Sequence, residues 1–199
     1  MAAQNQSGVI RRVPIVTLSM VAAAAIVFLI PALHPALVYD RSAILRGELW
    51  RLATGAWVHF SARHFLYDTA TLGLAGWMIE RGGYRHFSWV CVLTPLVSGI
   101  ASLALEPGLE ICGGLSGVAT AAVVFLAVHG VEEAGAWRWI CWFVLVATAA
   151  KIWTELTTRR FVFLEMADAG FVLVPSNHVV GGMTALAAYV WGKVLPPKY

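Results

Sequence analysis

The sequence predicts an all-α membrane protein with six transmembrane helices, and three observations carry that expectation. Of its 199 residues, 59% are hydrophobic and only 13% are charged, more apolar surface than a soluble domain of this size can hide. The apolar residues gather into six segments, 13–33, 65–79, 87–105, 116–128, 137–153 and 179–195, with lengths near the ~20 residues a span needs. Nine tryptophans suit a protein with two membrane–water interfaces to line.

Taken in order, the first segment follows Arg11 and Arg12. Its apolar core is too long for a secretory leader and further spans follow, so it reads as an uncleaved first helix. Residues 1–12 are expected to form a short cytoplasmic tail, and residues 13–199 a single membrane domain. Gly82-Gly83 stops the second segment, Gly130 the fourth, and Pro196-Pro197 the sixth. Short links join spans two to three and four to five. Longer connections, 35–64 and 154–177, follow the first span and precede the last. No internal repeat or low-complexity tract divides the chain.

The fourteen basic residues divide evenly between the two faces of such a bundle. Arg11, Arg12, Arg81 and Arg85 lie in short flanks, which weigh most in setting orientation. They place both termini in the cytoplasm. No basic run marks a nucleic-acid surface, so no nucleic-acid partner is expected; the partners are membrane lipid and whatever the site acts on. Cys91 and Cys141 read as small core residues, and Cys112 stands apart because of its neighbours.

Ionisable residues inside spans are costly and mark candidate sites. His64 and Asp68 open the second span four residues apart, on one helix face. Ser116 opens the fourth span and His178 the sixth. With alternating spans, the starts of the second, fourth and sixth lie on one side, so all four residues converge just below one surface.

Ser116 at a helix start sits among free backbone N–H groups and the positive end of the helix dipole, which suit a developing oxyanion. Gly113, Gly114 and Gly117 permit close approach of a substrate carbonyl, and His178 can take the hydroxyl proton. Alone, "GLSG" is an ordinary helix-capping serine and His178 an ordinary hydrogen-bonded histidine; the shared depth joins them. Gly181, Gly182 and Ala185 let two membrane helices approach closely.

These residues carry a resemblance. Gly114-Leu115-Ser116-Gly117 at the fourth span, His178-Val179-Val180-Gly181 at the sixth and Trp50-Arg51 in the first connection resemble, in that order, motifs of the rhomboid intramembrane serine proteases. The resemblance implies a six-helix bundle and a Ser116–His178 dyad without a cofactor. It also implies a water-filled cavity opening on the extracytoplasmic side. Trp50 and Arg51 are expected to be scaffold.

The resemblance further assigns oxyanion stabilisation to His64, Asp68 and Gly114. Asp68 departs from the family's asparagine: an ionised carboxylate would repel the oxyanion. Asp68 is therefore expected to be neutral, to share a proton with His64, or to orient His64. Thr120 departs from a tyrosine that stacks on the histidine in many members, so His178 must be positioned otherwise. Asn177 replaces an alanine.

The small size, "CGGLSG" and His-x-x-x-Asp together look like the bacterial rhombosortase branch. That branch is associated with C-terminally anchored proteins bearing a Gly-Gly sorting segment. It implies a bacterial inner-membrane enzyme acting on a transmembrane or C-terminally anchored protein.

Rival readings are weaker. His59, His64 and Asp68 form no familiar metal motif, and positions five apart lie off one helix face, so no metal is expected. An aspartyl protease needs a Gly-x-Gly-Asp that Asp168 lacks. Asp168 is within chain reach of His178 as a third catalytic member, although the family does without one. The alternative class is a catalytically inactive rhomboid-like protein that binds transmembrane clients; such proteins usually lose the serine or the histidine, and both are present here.

Overall fold

A computed structural model describes residues 13–160, 162 and 173–194. In chain order the helices are α1 (Ile15–Leu29), α2 (His34–Leu37), α3 (Arg41–Leu45), α4 (Arg51–Thr54), α5 (Ala62–Gly82), α6 (Phe87–Leu105), α7 (Ser116–Gly130), α8 (Ala136–Thr158) and α9 (Pro175–Val194). The six long ones fall on the six apolar segments. Phe87–Leu105 and Ala136–Thr158 are each long and apolar enough to cross a membrane unaided. The tail 1–12 lies outside the described residues.

The first segment is not one straight helix to residue 33. α1 ends at Leu29, and the chain turns by 95° into Pro31–Leu37. Pro31 causes the break: its ring pushes the preceding residue out of the helical region, and Ile30 sits at φ −117°, ψ 79°. The fifth segment runs the other way, with α8 continuing to Thr158 rather than ending at residue 153. The sixth helix begins at Pro175, a residue preorganised for a first helical position, so His178 lies in its first turn.

The connection 35–64 is folded. Besides α2–α4 it holds β1 (Tyr39–Asp40), which pairs antiparallel with β2 (Ile111–Cys112) just before α7. Arg51 is buried; its Nη1 donates to Val38 O at 3.0 Å and its Nε to Glu48 at 2.7 Å. Trp50 Nε1 donates to Ala36 O at 3.0 Å. The pair ties the connection to itself, a structural role.

α7 is the central helix. It packs against α5, α6, α8 and most extensively α9, and ten of its 15 residues are buried. A helix apolar all round belongs inside. α8 is the opposite: of 23 residues only Cys141 and Glu155 are buried, while Trp139, Phe143 and Trp153 are exposed. An outward apolar face of that kind suits lipid.

Close approach of α7 and α9 follows from two glycines. A Cβ on Gly181 would collide with the Gly117 carbonyl, and one on Gly117 would come within 3.0 Å of Asn177 O. In lipid such packing holds helices together. Ala185 is fully buried, but Gly182 faces open space and takes no part. Asn177 also accepts from Ser102 Oγ at 3.0 Å, fixing the start of α9 to the end of α6. At the other end Glu80 of α5 accepts from Val16 N, Thr17 N and Thr17 Oγ1 at 3.0, 2.8 and 2.5 Å, capping the orphan amides of α1.

Candidate active site

The starts of α5, α7 and α9 meet at one level with the end of α8. Ser116 is the first residue of α7, and no side chain caps the helix, so its first-turn amides have no capping acceptor. The chain enters through Gly114 at φ +126°, a conformation that favours glycine. A side chain there would also run into the His64 ring and stand 3.3 Å from Asp68 Oδ2.

Ser116, His178, Asp68, Thr120 and Lys151 line one cavity of about 200 Å³, together with Tyr67 and Thr71 of α5 and mainly apolar residues of α7 and α8. Ser116 is half-buried and His178 buried. The cavity lining includes Asp68 but not His64. Among the described residues no hydrogen bond joins Ser116 to His178. Gly114 has its N–H directed to Gly55 O at 3.3 Å. Its amide is therefore engaged within the protein, and what it offers the site is the absence of a side chain.

Asp68 is a hub. Its Oδ2 lies 3.0 Å from His64 Nε2 and 3.3 Å from His59 Nε2, with all three side chains buried. His64 and Asp68 were legible as an i,i+4 pair; His59 was not. His59 is bound to no helix face, because α5 begins only at Ala62, and it reaches Asp68 from the preceding loop.

His59 Nδ1 faces Trp57 O at 3.2 Å, and a carbonyl only accepts, so Nδ1 carries hydrogen. Nε2 meets the Leu115 N–H at 3.3 Å as well as Asp68. Attraction between that nitrogen and the carboxylate then needs one more proton, on Asp68, since a proton on Nε2 would leave the Leu115 N–H facing another donor.

His59, His64 and Asp68 are also the set, among the described residues, whose ligand atoms lie close enough to hold a metal, all within 4.8 Å of one another. Their contacts with each other and with Leu115 N engage those same atoms.

The second cluster was not anticipated. His178 Nδ1 lies 2.7 Å from Glu155 Oε2, and Lys151 Nζ donates to the same oxygen at 2.8 Å. Lys151 Nζ is 3.3 Å from His178 Nδ1. Both partners come from α8: Lys151 lies within the fifth apolar segment, and Glu155 falls in the expected 154–177 connection, which α8 in fact occupies as far as Thr158. The available signal was Lys151 and Glu155 four residues apart at the end of an apolar segment, on the side where Ser116 and His178 lie. Asp168 lies outside the described residues.

A family model for the Rhomboid domain matches residues 46–193. The chain belongs to the rhomboid family. Rhomboids are in general intramembrane serine proteases, and inactive members exist; the apolar helices agree with a membrane protein of that kind. No curated protein matches the chain.

For a rhomboid, the thiol nearest the site is no rival nucleophile. Cys112 is buried and free, and burial pushes its thiol up to about 12, leaving it protonated at neutral pH.

Proposed function

We propose that this rhomboid is an active serine endopeptidase that cuts a membrane-anchored protein, with Ser116 as nucleophile and His178 as general base. The observation that carries the reading is the single cavity lined by both residues, which lie in the first turns of α7 and α9. In the reaction His178 takes the Ser116 proton as the hydroxyl attacks the scissile carbonyl. The unpaired amides at the start of α7 receive the oxyanion. Asp68, on the cavity wall, donates a hydrogen bond when protonated, supported by His64, while Gly114 leaves room for the substrate carbonyl.

All six long helices cross the membrane in this reading. α7, at 15 residues, is about 22 Å long against a hydrocarbon core of about 30 Å. Its shortness leaves Ser116 below the surface, in a water-filled cavity open to the extracytoplasmic side. Both termini are cytoplasmic, and reporter fusions at Tyr199 and within 130–135 are expected to report cytoplasm. The membrane is a bacterial inner membrane. The substrate is of the rhombosortase kind, a secreted protein held by a C-terminal Gly-Gly sorting segment; "CGGLSG" and His64-x-x-x-Asp68 support that branch.

The test is covalent labelling of the full chain in detergent by a fluorophosphonate. Wild type is expected to label and Ser116→Ala to lose both labelling and proteolysis while remaining folded. Proteolysis by Ser116→Ala would refute the assignment. An unlabelled, inactive wild type would favour the client-binding alternative.

A further inference from the structure

We infer that Glu155 is the third member of the catalytic group, a positioning residue that fixes the tautomer of His178, with Lys151 holding the carboxylate in place. The inference rests on the Ser116–His178 reading and goes beyond the dyad that the family resemblance supplies. It stands on geometry. Glu155 is 1% exposed and His178 6% exposed, and they approach to 2.7 Å through Nδ1. At that distance one of the two atoms must carry hydrogen, or two lone pairs would face each other. Lys151, 2.8 Å from the same oxygen, supplies a positive charge that favours the ionised carboxylate, so the hydrogen belongs to His178 Nδ1. The 3.3 Å approach of Lys151 to Nδ1 is then between two donors and adds no bond.

With Nδ1 protonated, Nε2 keeps the lone pair that a general base needs. Thr120 explains why such a device is useful here. A threonine cannot stack on the imidazole, and the ring is instead held from its far side by Glu155.

The proton accounting closes without another reagent. As the Ser116 Oγ–carbon bond forms, the hydroxyl proton moves to His178 Nε2. The imidazolium keeps its Nδ1 hydrogen directed at Glu155, which stays ionised and stabilises the new charge. As the scissile C–N bond breaks, the Nε2 proton goes to the leaving nitrogen. Water then repeats the cycle to release the acyl group from Ser116.

A buried carboxylate with two basic partners is also what a structural salt bridge looks like, so the test must separate positioning from folding. The rate of fluorophosphonate labelling and the kcat and KM of cleavage are measured against pH for wild type and Glu155→Gln. The amide is expected to slow labelling and kcat by about 10³–10⁴-fold, as when the orienting carboxylate of a serine–histidine pair becomes an amide, with KM little changed. Glu155→Asp is expected to recover part of the loss.

A Glu155→Gln enzyme with wild-type rate and pH profile overturns the inference and leaves the dyad standing. Undiminished labelling in Ser116→Ala overturns the dyad instead. Should Glu155→Gln fail to fold, the imidazole nitrogen shifts of His178 in the wild-type protein decide. A hydrogen on Nδ1 supports the inference, and one on Nε2 overturns it.

Discussion

Asp68 and Glu155 are each 1% exposed, each pairs with a basic residue four positions away on its own helix, and each makes one further contact. The difference lies in that further partner. For Asp68 it is His59, nine residues back in the loop entering the same helix. The network draws on one short stretch of chain and reaches the entry to α7 at the Leu115 amide. For Glu155 it is His178 on another helix, so the network fixes α8 and α9 relative to each other.

Charge differs as well. Lys151 brings a permanent cation, which suits a carboxylate that must stay ionised. Two histidines bring a cation only when they hold an extra proton, which suits a carboxylate beside a developing negative charge. In the proposed mechanism the same local unit orients a base in one place and supports an oxyanion in the other.

The comparison is most exposed at Asp68→Ala. Activity is expected to fall by about 10²–10³-fold, the scale of a lost oxyanion donor, measured as kcat on a cleavable membrane substrate. A loss as large as that of Glu155→Gln, with the same change in pH profile, would put both carboxylates in one role. His59→Ala comes next. It leaves the buried Leu115 N–H and Asp68 short of a partner, an effect of about 1–3 kcal/mol, read as a lower unfolding midpoint in detergent with KM unchanged.

Asp68→Asn sharpens the contrast from the other side. The amide donates without needing a proton, so most activity should survive and extend to higher pH. An Asp68→Asn protein as inactive as Ser116→Ala would mean that the carboxylate itself is required.

The smallest effect is expected outside both networks, at Glu132. Its carboxyl is held below the usual range by hydrogen bonds from Lys193 and Tyr189. A depressed carboxyl contributes stability above its unfolded range and loses it as pH falls through the folded one. Any difference in unfolding midpoint between wild type and Glu132→Gln should therefore be confined to neutral pH and vanish in acid. Cleavage should be unaffected, since an exposed pair is largely screened by solvent.

Much of the fold was legible because lipid leaves few choices. Apolar runs bounded by Gly82-Gly83 and Gly130 gave helices at those places, and α6 matched its expected range to the residue. The first helix was misjudged because Pro31 sits inside an unbroken apolar run, where composition hides a backbone constraint. Ser116, His178, His64 and Asp68 were legible because polar groups stand out against an apolar background. Lys151 and Glu155 stand out equally, but a helix end expected at residue 153 puts Glu155 in a loop and leaves Lys151 without its partner one turn on.

By itself the sequence determined the helices, the level at which α5, α7 and α9 begin, and the polar residues placed there. Those follow from hydropathy, helix-stop residues and the alternation of direction, all read along the chain. Only the tertiary structure decided which polar residue meets which. Contacts such as Glu155 with His178, or Gly181 with Gly117, depend on the rotation and separation of packed helices, and these are set by side chains distant in sequence. A one-dimensional pattern gives the face a residue occupies on its own helix, but not the neighbour that face is pressed against.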